Sequence, residues 1–220
     1  MEKLIQITSA NDGSHTLYRK DIDEHYHSIH GSIQESLHVF INAGLKDYLL
    51  KYKKNEINIL EVGFGSGLNA LLTIENNKDS SCKINYHTIE PLPLEYSLIE
   101  QINFKEINPK IFLKLHKLNW NEKHLINTNF NFSKEQIKLE NFTSKIKFDI
   151  IYYDAFGPNS QPEMWNIHLF TKLYSLMNKS GFLVTYCAKG QVRRDLNSVG
   201  FKMERLPGPK GKREMLRALK

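Results

Sequence analysis

The sequence predicts an α/β fold built on a mostly parallel central sheet. Three observations predict it: short apolar runs alternate with helical periodicity, one run ends in a glycine loop that opens a helix, and another is apolar at nearly every position. The runs are Ile57 to Val62, Tyr86 to Ile89, Phe148 to Tyr153 and Phe182 to Tyr186. The third reads FDIIYY, the pattern of a strand covered on both faces.

Each element follows in order. Ile5, Ile7 and Leu17 flank Asn11-Asp12-Gly13, so residues 1–30 are read as an N-terminal extension beginning with a hairpin, and 31–220 as the main domain. Ser32 and Glu35 have capping-box spacing, and Ile33, Leu37, Phe40, Ile41 and Leu45 recur at helical intervals, predicting a helix to about Tyr52. A further helix covers Leu68 to Ile74. Ser160 and Glu163 suggest a second capping box ahead of a helix carrying Trp165, Leu169, Phe170 and Leu173, with Gly181 closing the turn after it. A helix near Val192 to Val199 precedes two extended segments, Phe201 to Arg205 and Arg213 to Leu219, read as an antiparallel pair. The segment Asn108 to Lys134 receives no element.

Composition bounds the class. The 220 residues are 40% hydrophobic with net charge +6, and no apolar run approaches the roughly 18 residues that would span a bilayer. The opening Met1 to Ala10 is too short and polar for a secretory signal, and Cys82 and Cys187 lack metal spacing, so a soluble protein of the reducing cytoplasm is expected. His25, His27, His30 and His38 crowd the N-terminal part without closed tetrahedral spacing, and no metal is expected. The positive charge permits a nucleic-acid partner without requiring one.

Chemistry concentrates at two strand ends. The run EVGFGSG, Glu61 to Gly67, leaves a buried strand and opens a helix, so Gly63, Gly65 and Gly67 let backbone approach a ligand beside free helix N–H groups. A dinucleotide fingerprint needs G-x-G-x-x-G, whereas the spacing here is G-x-G-x-G. The acidic Glu61 also disfavours a pyrophosphate and suits a cationic, phosphate-free cofactor such as S-adenosylmethionine, by charge complementarity. Glu90, at the end of the next strand, is placed to accept both ribose hydroxyls, as in Rossmann-like sheets. Asp154 ends a central strand in YYDAFGP, a pattern similar to the Asp/Asn-Pro-Pro-aromatic motif of methyltransferases acting on exocyclic nitrogens. There the carboxylate and nearby backbone carbonyls would accept hydrogen bonds from an amine, with Phe156 stacking on a base.

Over almost its whole length the chain resembles the stand-alone relatives of the methyltransferase half of the bifunctional bacterial tRNA wobble-uridine enzyme, the MnmC type. The resemblance rests on EHYHSIHGSIQESLHVFI (Glu24 to Ile41), EVGFGSGLN (Glu61 to Asn69), DAFGPNSQPEMW (Asp154 to Trp165), TYCAKGQVRR (Thr185 to Arg194) and GPKGKREML (Gly208 to Leu216). It implies a Rossmann-like class I methyltransferase fold with an antiparallel C-terminal strand. It also implies methylation of 5-aminomethyl-2-thiouridine at the tRNA wobble position, with tRNA as partner. The FAD-dependent oxidase half is expected to be absent, since nothing follows Lys220. Carried over by motif, Glu61, Gly63, Gly65, Gly67 and Glu90 hold cofactor, Asp154 is the acceptor-side carboxylate, and Lys189, Arg193, Arg194, Lys212 and Arg213 lie near the substrate face. The reader of adenine is left between Glu135 and Glu140, and Glu35 between a cap for Ser32 and a substrate contact. Lys210 and Arg217 are added to the basic rim, Arg217 on the face of Arg213. The alternative activity is an aminopropyltransferase of the polyamine-synthase type, set back by Leu68 and Asn69, which follow the loop where that type carries Asp.

Overall fold

The computed structural model describes residues 4–11, 13–104 and 107–220. Near the N-terminus β1 (Ile5–Ser9), β2 (His15–Arg19) and β3 (Glu24–His25) pair antiparallel into a small sheet. In the turn between β1 and β2, Asp12 lies outside the described residues.

A continuous helix then covers residues 32–52, with a π-helical stretch at Leu37–Lys46. The predicted capping box is not what starts it. Gly31 is the N-cap, the Ser32 hydroxyl donates to the His15 carbonyl at 3.4 Å, and Glu35 Oε2 accepts from the Ser28 N–H at 3.0 Å. Both side chains are used to tie the helix to the N-terminal sheet and the segment after it. The second box fails the same way. Ser160 donates to Glu24 at 2.8 Å, and the Asn166 side chain caps the helix Ile167–Leu176 by accepting from Leu169 N–H at 3.1 Å.

The main sheet has eight strands among the described residues. These are β4 (Glu56–Val62), β5 (Lys83–Ile89), β6 (Glu122–Asn127), β7 (Phe130–Glu135), β8 (Phe148–Tyr153), β9 (Met177–Thr185), β10 (Lys202–Pro207) and β11 (Glu214–Leu219). Their order is β10-β11-β9-β8-β4-β5-β7-β6. The five central strands from β9 to β7 run parallel, flanked by antiparallel pairs at both edges. Parallel neighbours need crossovers, and the helices Leu68–Asn77 and Ile167–Leu176 supply two of them.

Core residues sit on both faces. Helix 32–52, Leu68–Asn77 and Pro109–Lys117 cover one face through Val39, Leu71 and Leu115, and Ile167–Leu176 with Gly190–Val199 cover the other through Phe170 and Leu196. All six residues of β8 are buried, as a strand between two helical layers requires.

Two strands of the main sheet, β6 and β7, went unassigned from the sequence. In FNFSKE of β7 every second residue is buried, but the third of them is Lys134, whose polarity hides the alternation. Its ammonium is held inside by the carbonyls of Leu115 and His116, each at 2.9 Å, so it caps the C-terminus of Pro109–Lys117. Gly181, expected to close a turn, lies within β9, where the left-handed residue is Ser180 (φ 68°). Arg217 also departs from expectation. It bonds Glu204, Asp47 and the Ala43 carbonyl at 2.7 to 2.9 Å and lies 4.7 Å over the Phe182 ring, so it braces helix 32–52 and leaves the rim.

Candidate active site

The glycine loop, Glu90 and Asp154 follow β4, β5 and β8, three adjacent parallel strands, so all emerge at the same carboxyl edge, where open α/β sheets bind ligands. The chain crosses itself closely there. Gly63 has φ +93°, and a Cβ on it would stand 2.7 Å from the Asp154 carbonyl oxygen, so glycine is what lets the β8 loop pass against the β4 loop. Asp154 N–H donates to the Val62 carbonyl at 3.0 Å and locks that crossing.

A cavity of about 950 Å³ opens at this edge. Gly63, Phe64 and Gly65 form its floor, Glu90 and residues 136–141 one end, and Asp154, Ala155, Phe156 and Tyr186 the other. Residues Arg19 and Glu24 to Ile29 of the N-terminal segment form the facing wall. Sequence reasoning missed this wall, although the cluster of Glu, His and Tyr in EHYHSIH signalled it. Tyr26 packs edge-on to Phe156 with ring centroids 4.9 Å apart, and the Arg19 guanidinium lies 5.6 Å over that same ring.

Glu90 is set for ligand binding. Its two oxygens accept the N–H groups of Gly65 at 3.2 Å and Leu92 at 3.0 Å. Burial pushes its carboxyl up, while those amides and the Arg19 charge oppose the shift.

Asp154 is held at the other end. Its Oδ2 accepts from the Asn69 amide at 2.8 Å. Burial pushes its carboxyl up to about 7; the Asn69 hydrogen bond opposes this, the Glu35 charge adds to it and Lys212 opposes it. The backbone carbonyls expected to help bind an amine are already engaged: Tyr186 donates its hydroxyl to Ala155 at 2.9 Å, and Trp165 its indole N–H to Phe156 at 2.7 Å. These bonds fix the DAF segment, and each carbonyl oxygen keeps a second lone pair beside the Asp154 carboxylate. Glu35 also lines the cavity, paired with the Lys212 ammonium, which lies 4.0 Å from the Tyr186 ring centre.

The remaining expected residues divide. Glu61 does not line the cavity. Its β4 position is opposite Thr88 of β5 and Tyr152 of β8, on the sheet face under Leu68–Asn77 rather than at the edge, and it is fully buried. Burial pushes its carboxyl up to about 8, with the Thr88 hydroxyl acting against that shift. Gly67 (φ +75°) also stays outside, pressed between the Phe64 and His116 rings. Lys212 lies at the boundary with a second depression of about 520 Å³ that shares Glu24 and Tyr186 and is lined by Lys189, Arg205 and Arg213. Arg193 and Arg194 line neither space; both lie on the helix Gly190–Val199. Glu140 lines the first cavity, whereas Glu135 contacts His87 at 3.2 Å.

A family profile described as S-adenosyl-L-methionine-dependent methyltransferase matches residues 102–220. The chain belongs to that family. The methyltransferase chain is 28% identical over 212 residues to the tRNA 5-methylaminomethyl-2-thiouridine biosynthesis bifunctional protein MnmC of Campylobacter hominis, covering 92% of itself and 31% of that protein. It is 30% identical over 215 residues to the protein of the same name from Leptospira interrogans, covering 90% and 32%. It therefore spans about a third of the length of these relatives. Among solved structures, MNMC2 from Aquifex aeolicus superposes with a TM-score of 0.83 at 24% identity, over 98% of this chain and 70% of that one. Spermidine synthase from Thermotoga maritima gives 0.62 at 11% identity, over 98% and 68%. Both show the Rossmann-like methyltransferase fold.

S-adenosylmethionine is the cofactor of this methyltransferase, and the residues fit it. The cavity joins a carboxylate ringed by backbone N–H groups, Glu90, to an anionic end at Asp154 and Glu35, with apolar Ile89, Ile137 and Leu139 beside Glu90. That combination suits a diol and a flat heterocycle at one end and a cation toward the other. Among the described residues no helix is long and apolar enough to cross a membrane, and no group of three or more His, Cys, Asp or Glu is placed to hold a metal ion.

Proposed function

We propose that the chain methylates the amine of 5-aminomethyl-2-thiouridine at the tRNA wobble position, giving 5-methylaminomethyl-2-thiouridine. The observation that carries this reading is Asp154: a half-buried carboxylate at a strand end, aimed by Asn69 and flanked by the aromatic rings of Phe156 and Tyr186 in the cofactor cavity. The names of the MnmC relatives support the substrate class.

In this reading Glu90 accepts the ribose hydroxyls of the cofactor, Gly63 and Gly65 form the floor beneath it, and residues 136–141 flank the adenine. Bound there, the cofactor supplies an electrophilic methyl on a sulfonium. Asp154 accepts a hydrogen bond from the substrate amine and orients its lone pair, and Phe156 stacks on the uracil ring. Methylation of the amine would release one proton from the nitrogen. The proton passes from the amine to the Asp154 carboxylate and on to solvent. Lys189, Lys212 and Arg213 donate to phosphate oxygens near the second depression, with Arg193 and Arg194 on the helix Gly190–Val199.

Nucleoside mass spectrometry on tRNA from a strain lacking the gene tests the substrate. There 5-aminomethyl-2-thiouridine should accumulate; an unchanged wobble nucleoside would refute the assignment.

A further inference from the structure

The glycine loop has three left-handed glycines in five residues, Gly63 at φ +93°, Gly65 at +49° and Gly67 at +75°, so its unliganded backbone has more conformations to lose than ordinary loop residues do. Between the last two stands Ser66, which is almost completely buried. Two histidines from distant parts of the chain meet it. His27, just after β3, places Nε2 2.6 Å from the Ser66 hydroxyl. His116, from Pro109–Lys117, places Nε2 3.0 Å from the Ser66 carbonyl. A carbonyl can only accept, so His116 carries its proton on Nε2 and donates.

The surroundings reinforce both contacts. The His116 ring packs against Phe64 with centroids 5.1 Å apart and edge-on to Phe112 at 5.0 Å. Lys134 bonds the carbonyl of His116 and lies 4.6 Å over Trp120, fixing the end of the helix that carries the imidazole. On the other side, the His27 N–H donates to the Thr16 hydroxyl of β2 at 3.0 Å, tying that histidine to the small sheet. Tyr26, its neighbour, sits where a Cβ on Gly65 would come 3.0 Å from the ring.

The geometry points to a two-histidine clamp: His27 and His116 grip the hydroxyl and the carbonyl of Ser66 and hold the glycine loop ready for S-adenosylmethionine, which makes the N-terminal sheet a working part of the cofactor site. The inference rests on the cofactor assignment. Both imidazoles are positioning residues, acting through the loop backbone, and preorganisation of this kind acts on affinity by lowering the ordering cost of binding. Burial holds both rings down to about 4, so they remain neutral and able to keep these bonds across the physiological range.

The test compares His27→Leu, His116→Leu and Ser66→Ala with His27→Gln and His116→Gln, in which an amide nitrogen can stand in for Nε2. Calorimetry with S-adenosylmethionine should show about tenfold weaker binding in each Leu variant and a smaller loss in Ser66→Ala, with the Gln variants recovering most of the difference. Amide hydrogen exchange at 64–67 in the unliganded protein should quicken in step, while kcat at saturating cofactor stays within about twofold. Folded Leu variants with wild-type affinity and wild-type exchange would overturn the clamp. If a Leu variant fails to fold, Ser66→Ala and the Gln pair still decide: equal affinity and exchange in Ser66→Ala and wild type would remove His27, and a His116→Gln variant with affinity lost but loop exchange unchanged would remove His116. Failure of the wild type to bind S-adenosylmethionine would instead strike the cofactor assignment.

Discussion

Asp154, half-buried, and Glu61, fully buried, are both carboxyls raised well above the ordinary range, yet their positions assign them different work. Asp154 faces the cavity, so Asp154→Ala should lower kcat at least a hundredfold while calorimetric cofactor affinity stays within a few fold, because its contact strengthens as charge develops on the nitrogen. Single-turnover rates with wild-type values in that variant would remove the role. With the carboxyl near 7, the turnover rate should also rise with pH through about 7 as Asp154 ionises, and that limb should vanish in Asp154→Asn. Glu61 faces helices. Its folded value of about 8 lies above its unfolded one, so its stabilising contribution is complete below the unfolded carboxylate range and is lost as pH rises through 8. Glu61→Gln should therefore unfold at a higher urea concentration than wild type at pH 8.5 and at a similar one near pH 4. A wild-type midpoint at pH 8.5 would show that Glu61 is ionised without penalty. Strand-end position, which follows from apolar run length, put Glu90, Asp154, Gly63 and Gly65 at the edge where the cavity opens. The sequence misplaced Glu61, because the period-two alternation of β4 turns that carboxylate to a sheet face, a fact that depends on which layer lies above it.

At the scale of elements, Gly63 is the point where two strand-end loops touch. Gly63→Ala would drive a Cβ to 2.7 Å from the Asp154 carbonyl at an unfavourable φ, so both cofactor affinity and turnover should fall, with a loss of stability of about 1 to 3 kcal/mol. Retention of both functions in that variant would mean that the loops separate freely. The hairpin of β10 and β11 carries Arg205 and Arg213 to the second depression, while Lys212 is tied to Glu35. A test of phosphate binding is cleaner with Lys189→Ala and Arg213→Ala together, leaving that ion pair intact. Filter binding should show tRNA affinity reduced and the slope of log K against log salt flattened by about 0.7 to 0.9 for each phosphate no longer neutralised. An unchanged slope would return both residues to the solvated surface. Helical and apolar periodicity made most elements readable here. The capping boxes were not, since serine and glutamate at that spacing also serve tertiary bonds, and β7 was hidden by Lys134, whose buried charge is stabilised by helix-end carbonyls remote in sequence.

Across the whole molecule, the small N-terminal sheet and the main domain share one site: Arg19, Glu24, Tyr26 and His27 close a cavity whose floor and chemistry come from β4, β5 and β8. Sequence spacing could place the carboxylates but not this wall, because the EHYHSIH cluster offers reactive residue types without showing which strand ends a small antiparallel sheet covers. The proposed methyl transfer to the amine of a tRNA wobble nucleoside would take place in a fold that spermidine synthase shares, so the group transferred and its acceptor are what would separate the two activities. The decisive measurement incubates the purified chain with methyl-labelled S-adenosylmethionine and tRNA carrying 5-aminomethyl-2-thiouridine, beside a parallel reaction of putrescine with aminopropyl-labelled decarboxylated S-adenosylmethionine, and resolves nucleosides and polyamines separately. Label is expected in 5-methylaminomethyl-2-thiouridine and none in spermidine. An unlabelled wobble nucleoside, or transfer to putrescine instead, would contradict the assigned activity.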